Sequence, residues 1–278
     1  SNFKTKILIV RSYNVMKYFL HLVVLTILSF TTIAHAEVQT QEIEYTQNGT
    51  TLRGYLAYDS AIKEKRPGIL VVHEWWGHNE HARDRARMLA KIGYTALAVD
   101  MYGNGKVADH PKKAGEFMNA AFNDWDTSQA RFNKAKEVLQ SHKTVDAERI
   151  GAIGFCFGGA VSLRMARGGA DLDGVVAFHS ALPLQPAIEN MKASVLVING
   201  SQDGFLKPDT VGSFSSQMMA GNADYIYMSL AGTKHSFTNK QADEFSKKFN
   251  IPSLQYNKQS DERSWAAMQK FFQHVFKQ

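Results

Sequence analysis

The chain of 278 residues is 44% hydrophobic and 21% charged, long enough for one large α/β domain without demanding a second. Its net charge of +6 is uneven: Lys4, Lys6, Arg11 and Lys17 lie in the first 36 residues, which hold no acid, leaving +2 for the rest. A balance so near zero, with no Lys/Arg block, excludes nucleic acid and an anionic membrane surface as partners.

In chain order, Met16-Lys17 precedes YFLHLVVLTILSFTTI (Tyr18 to Ile33), an uncharged run of 16 residues that closes on Ala34-His35-Ala36. The small-x-small close is a signal-peptidase pattern, and the run falls short of the roughly 20 residues a membrane span needs. The expectation is a leader over 1–36, a mature chain from Glu37, export to the periplasm or beyond, and no stable membrane insertion once the leader is cleaved. The stretch before Met16 reads as a scar or an overlong start and stands outside the fold reasoning. With one cysteine, Cys156, no internal disulfide can form, so the mature chain must hold together by its core.

EVQTQEIEYTQ (37–47) and TLRGYLAYDS (51–60) flank Asn48-Gly49, a hairpin signal that explains this dipeptide better than the glycosylation sequon it also fits. PGILVVHE (67–74) is the continuous apolar run of a buried parallel strand. HARDRARMLAKIG (81–93) has helical periodicity and a closing glycine, and YTALAVDMYG (94–103) is a second buried strand. Pro111 to His142 reads as helix with a break near Asn123-Asp124. RIGAIGF (149–155) is a strand and GGAVSLRMARGG (158–169) a short helix, followed by strands DGVVAFHS (173–180) and ASVLVINGSQD (193–203). Asp209 to Ala220 reads as helix, Tyr225 to Leu230 as strand, and Ser260 to Lys277 as a terminal helix with Trp265, Met268, Phe271, Phe272 and Val275 on one side. A hairpin followed by strand–helix alternation predicts a mostly parallel sheet with an N-terminal antiparallel hairpin and helices on both faces, in a single domain over 37–278.

Gly154-Phe155-Cys156-Phe157-Gly158 places G-x-C-x-G at a strand-to-helix junction, the nucleophile elbow of serine hydrolases with cysteine in place of serine. The flanking glycines suit a strained turn in which side chains would collide with neighbouring strand and helix. A helix N-terminus also favours the thiolate. The elbow needs an acid and then a histidine at the ends of later strands. Asp203 follows the strand ASVLVING, and His235 lies on the loop after Leu230, so the order Cys156, Asp203, His235 meets the requirement. Two other motifs fail. His73-Glu74-Trp75-Trp76-Gly77-His78 has its second histidine five positions on and ends a strand, so the pair cannot share a helical face as zinc ligands. Gly103-Asn104-Gly105-Lys106 lacks the upstream glycine and following Ser/Thr of a phosphate loop.

The elbow GFCFGG, Glu74 in VVHEWWG, Asp203 in NGSQD, His235 in GTKHSF and the DMYG stretch together resemble the dienelactone hydrolase family of the α/β-hydrolase fold over nearly the whole mature chain. The resemblance implies that Glu74 interacts with the cysteine and helps control its ionisation. It implies backbone N–H groups of Phe157 and Trp75 as the oxyanion hole. Members that cleave dienelactones hold the substrate carboxylate with arginines after the DMYG-like strand and after the catalytic histidine. Here those stretches end at Asn104 and Asn239 without an arginine, so a carboxylate clamp is missing. Those two asparagines and Trp76, Tyr102, Phe205 and Phe237 are the candidate substrate contacts, around an aromatic site that suits an apolar ester or lactone. The reading is a cysteine-dependent hydrolase of carboxylic esters or lactones, with a Cys-His-Asp triad and an acyl-enzyme, needing neither metal nor organic cofactor. A non-catalytic binding protein on the same fold is the alternative.

Overall fold

The computed structural model describes residues 37–188 and 191–277; the expected leader lies outside them. Strands β1 (Val38–Gln47) and β2 (Thr50–Asp59) pair antiparallel around Asn48 and Gly49. Both turn residues have positive φ, 46° and 75°, which is what a two-residue hairpin turn matched to strand twist requires.

The chain then alternates: β3 (Arg66–Val72), α1 (Glu80–Lys91), β4 (Thr95–Val99), α2 (Pro111–Asn123), α3 (Trp125–Ser141), β5 (Val145–Phe155), α4 (Phe157–Arg167), β6 (Gly174–Phe178), β7 (Ser194–Gly200), α5 (Pro208–Ala220), β8 (Tyr225–Leu230), α6 (Ala242–Phe249) and α7 (Lys258–Val275). The expected break near Asn123-Asp124 is real. Asp124 ends α2 and its carboxylate accepts from the Thr127 amide at 3.2 Å, capping α3. Helix α6 has no counterpart in the sequence reading.

The eight strands form one sheet in the order β1-β2-β4-β3-β5-β6-β7-β8, with β1, β2 and β4 antiparallel in sequence of pairing and every other pairing parallel. Alternation along a strand splits the core in two. Leu70 and Val72 of β3 pack with Phe132 and Leu139 of α3 and Val161 of α4 on one face. Ile69 and Val71 pack with Ala86 and Leu89 of α1 and Met268 and Phe272 of α7 on the other. Phe155 and Phe178 are fully buried and stack at 4.8 Å. The parallel strands run in one direction, so the ends of β3, β5, β7 and β8 deliver their following loops to one edge, where ligands bind in open α/β sheets.

Candidate active site

Cys156 occupies the turn between β5 and α4 with φ 53° and ψ −114°, a conformation side chains rarely adopt. Its amide donates to the Phe178 carbonyl at 3.0 Å. The neighbouring glycines permit the turn: a Cβ on Gly154 would lie 2.1 Å from the Gly158 carbonyl oxygen, and one on Gly158 2.2 Å from that of Val72. Phe157 begins α4, so its N–H is one of the first four that no helical carbonyl can satisfy.

Asp203 sits just past β7 and His235 on the loop after β8. The two meet at 2.7 Å, Asp203 Oδ2 to His235 Nδ1. The other Asp203 oxygen accepts from the Phe205 amide at 2.9 Å, which fixes the carboxylate. With Nδ1 so engaged, Nε2 is left for Cys156, which lines the same cavity as the ring. Burial opposes charge on this imidazole, but the Cys156 charge and the hydrogen bonds to Asp203 and Cys156 outweigh it, and its pKa is pushed up to about 10. His235 is itself pinned by a segment the sequence reading passed over: its amide donates to the Ser253 carbonyl at 3.1 Å and its carbonyl accepts from Gln255 at 3.1 Å.

Glu74 is buried and does not stand alone. Ser236 Oγ donates to one oxygen at 2.9 Å and Asn239 Nδ2 to the other at 2.5 Å, so the loop after the histidine closes over it. Burial pushes its carboxyl above the ordinary range, against the pull of the Asn239 and Ser236 hydrogen bonds. His81, 4.0 Å from it, and His179, bonded to the same Thr238 hydroxyl as His81, are both held well below their ordinary pKa, chiefly by burial.

A cavity of about 230 Å³ opens on Cys156 and His235, walled by Trp75, Met118, Phe122, Phe157, Phe205 and Leu254. None of the described residues lining it is Lys, Arg, Asp or Glu. Of the candidate substrate contacts, Phe205 is in this wall; the other five lie elsewhere. Trp76 is 2% exposed and packs on Phe245 and Phe249 of α6, ring centroids 4.6 and 5.8 Å away. Tyr102 is buried with its hydroxyl donating to the Trp75 carbonyl at 3.0 Å. Phe237 is fully buried against His179, 5.1 Å between rings. Asn239 is spent on Glu74. Asn104 is in an exposed turn with its amide on the Thr51 carbonyl at 2.7 Å. Met118, Phe122 and Leu254 were missed. The only signal for the first two was their place beside the helix break at Asp124, and nothing local marked Leu254.

A sequence model of the dienelactone hydrolase family matches residues 52–276. The chain is 31% identical to protein usf of Aquifex pyrophilus over 211 residues, 73% of this chain and 89% of that one. It is 28% identical over 210 residues, with the same coverage of each, to an Aquifex aeolicus protein provisionally named a carboxymethylenebutenolidase. Among solved structures, m3DLH matches with TM-score 0.81 at 34% identity, over 86% of this chain and 99% of that one. A dienelactone hydrolase-like promiscuous phosphotriesterase from metagenomic libraries matches with the same TM-score and coverage at 32% identity.

Proposed function

The chain belongs to the dienelactone hydrolase family and is a hydrolase of lactones or esters, and we propose that it acts through a Cys156 thiolate on neutral, apolar substrates. The observation that carries this reading is the Asp203–His235 hydrogen bond, with His235 and Cys156 together lining an apolar cavity. The thiolate attacks the carbonyl carbon, and the resulting oxyanion is held by the N–H groups of Phe157 and Trp75. Loss of one such donor typically costs about 10²–10³ in rate. The tetrahedral species collapses to a thioester as His235 gives its proton to the departing alkoxide. His235, now neutral, takes a proton from water, and the hydroxide attacks the thioester. The second tetrahedral species expels the thiolate, leaving the acid product and the thiolate beside the imidazolium that water has already restored. Asp203 keeps the ring in one tautomer and orientation throughout.

Without a cationic side chain in the cavity wall, a substrate carboxylate would be desolvated there with no partner. Neutral butyl and aryl esters should therefore turn over faster than acidic lactones. The test is hydrolysis of p-nitrophenyl butyrate by the purified protein beside Cys156→Ala, with an ester and lactone panel. The variant should lose at least about 10³-fold in kcat. Turnover that survives the substitution, or a preference for acidic lactones, overturns the corresponding half of the proposal.

A further inference from the structure

We propose that His73 is a positioning residue for the oxyanion hole, its ring holding the Glu74–Trp75 peptide so that the Trp75 N–H faces the developing oxyanion. The inference rests on the role given to Trp75 above. His73 is the first residue past β3 and is fully buried. Its Nδ1 is 2.6 Å from the Glu74 carbonyl oxygen, and its Nε2 lies 3.3 Å from the Met101 amide nitrogen. The Met101 N–H can only donate, so Nε2 accepts, the proton sits on Nδ1, and Nδ1 donates to the Glu74 carbonyl. Burial lowers the pKa of the ring and keeps it in this neutral form.

The Glu74 carbonyl and the Trp75 N–H belong to one planar peptide and point in opposite directions. Fixing the oxygen therefore fixes where the N–H aims, and a donor on the oxygen polarises the N–H further. The next peptide is held too, by the Tyr102 hydroxyl on the Trp75 carbonyl. Tyr102 packs edge-on against His73 at 4.7 Å. The same imidazole stacks on the ring of Phe157, the residue carrying the other donor, at 5.7 Å and 27°. Thus one buried ring touches both halves of the hole.

Asparagine and glutamine each copy one end of this ring. Asn can place an amide N–H near the Nδ1 position and so donate to the Glu74 carbonyl. Gln reaches the Nε2 position, meets the Met101 amide and leaves the Glu74 carbonyl with only the Gly77 amide, 3.2 Å away and longer than the 2.6 Å contact to His73. The experiment measures ester kcat and KM for His73→Gln and His73→Asn, together with the rate and pH profile of Cys156 alkylation by iodoacetamide. Alkylation needs the thiolate but develops no oxyanion. His73→Gln should lose about 10- to 100-fold in kcat with KM and the alkylation profile unchanged, and His73→Asn should recover to within about fivefold of the parent. The proposal is overturned if Gln keeps the parent kcat, if Asn is as impaired as Gln, or if alkylation falls in step with kcat, which would mark a general structural role. Failure of the underlying reading shows separately, as ester turnover that Cys156→Ala leaves intact.

Discussion

Glu74 is where the residue scale says something its neighbours do not. Its carboxyl is buried among Ser236, Asn239 and His81, the last with Nδ1 4.0 Å away. Because burial raises its pKa in the folded chain above the unfolded value of about 4.3, the native state holds this proton longer than the unfolded state does. Its contribution to stability is therefore present in full below the unfolded pKa and is lost as pH rises through the folded one. Glutamine fits the same cage, its oxygen accepting from Asn239 and its amide donating to Ser236 Oγ, and it does not titrate. Urea midpoints of the parent and Glu74→Gln, taken at pH 4 and pH 8, should diverge in favour of the variant at the higher pH. Parallel behaviour at both pH values would mean that the carboxyl pays no burial penalty.

At the scale of elements, the site depends on close backbone contacts that only glycine allows. Gly154 and Gly158 bring β5, α4 and the end of β3 together, and Gly200 does the same for the two loops that carry the acid and the base. A Cβ on Gly200 would lie 2.1 Å from the Thr233 carbonyl oxygen, on the loop that leads to His235. Gly200→Ala should part Asp203 from His235, lowering both the free energy of unfolding, by about 1–3 kcal/mol, and ester kcat; a variant with parent values for both would show that the loops can give. Gly200 was not singled out from sequence, although Gly154 and Gly158 were, and the difference is instructive. The elbow glycines stand within two residues of the cysteine they serve, so a local motif exposes them. The contact of Gly200 is with Thr233, across the sheet edge. The same distinction runs through the rest of the fold. The hairpin at Asn48-Gly49, the strand runs and the break at Asp124 are local patterns and were legible. Helix α6 is eight residues long, and the apolar pair Phe245 and Phe249 acquires meaning only from Trp76, which those rings bury. That is also why Trp76, apolar and just past a strand end, reads in sequence as a cavity wall. Leu254 enters the cavity only because 253–255 pairs with the backbone of His235, a contact no periodicity announces.

At the scale of the whole molecule, the two cores leave the sheet covered on both faces, and long-range polar ties join the covering helices to the site. Arg85 of α1 reaches Asp261 of α7 at 2.9 Å and the Thr238 carbonyl, three residues past His235, at 2.5 Å. No helix among the described residues is long and apolar enough to cross a membrane. Glu37 is tied to the end of β2. The Glu37 amide donates to Asp59 Oδ1 at 2.9 Å, while the Glu37 carbonyl accepts from the Ser60 amide at 2.9 Å. Asp59 is 5% exposed. We propose that the leader is removed after Ala36 on export, which would turn the Glu37 amide into an ammonium group already seated against this carboxylate. The bond from amide to carboxylate is already charge-assisted; an ammonium there adds the attraction of opposite charges, so the freed terminus should gain stability that the uncleaved chain lacks. Asp59→Asn keeps the acceptor oxygen but removes the charge. Its cost in urea unfolding should be about 1 kcal/mol greater in the chain that begins at Glu37 than in one retaining the residues before it, and mass spectrometry of the exported protein should find Glu37 first. An equal cost in both chains would leave the Glu37–Asp59 contact as an ordinary amide bond, and a different first residue would move the cleavage site.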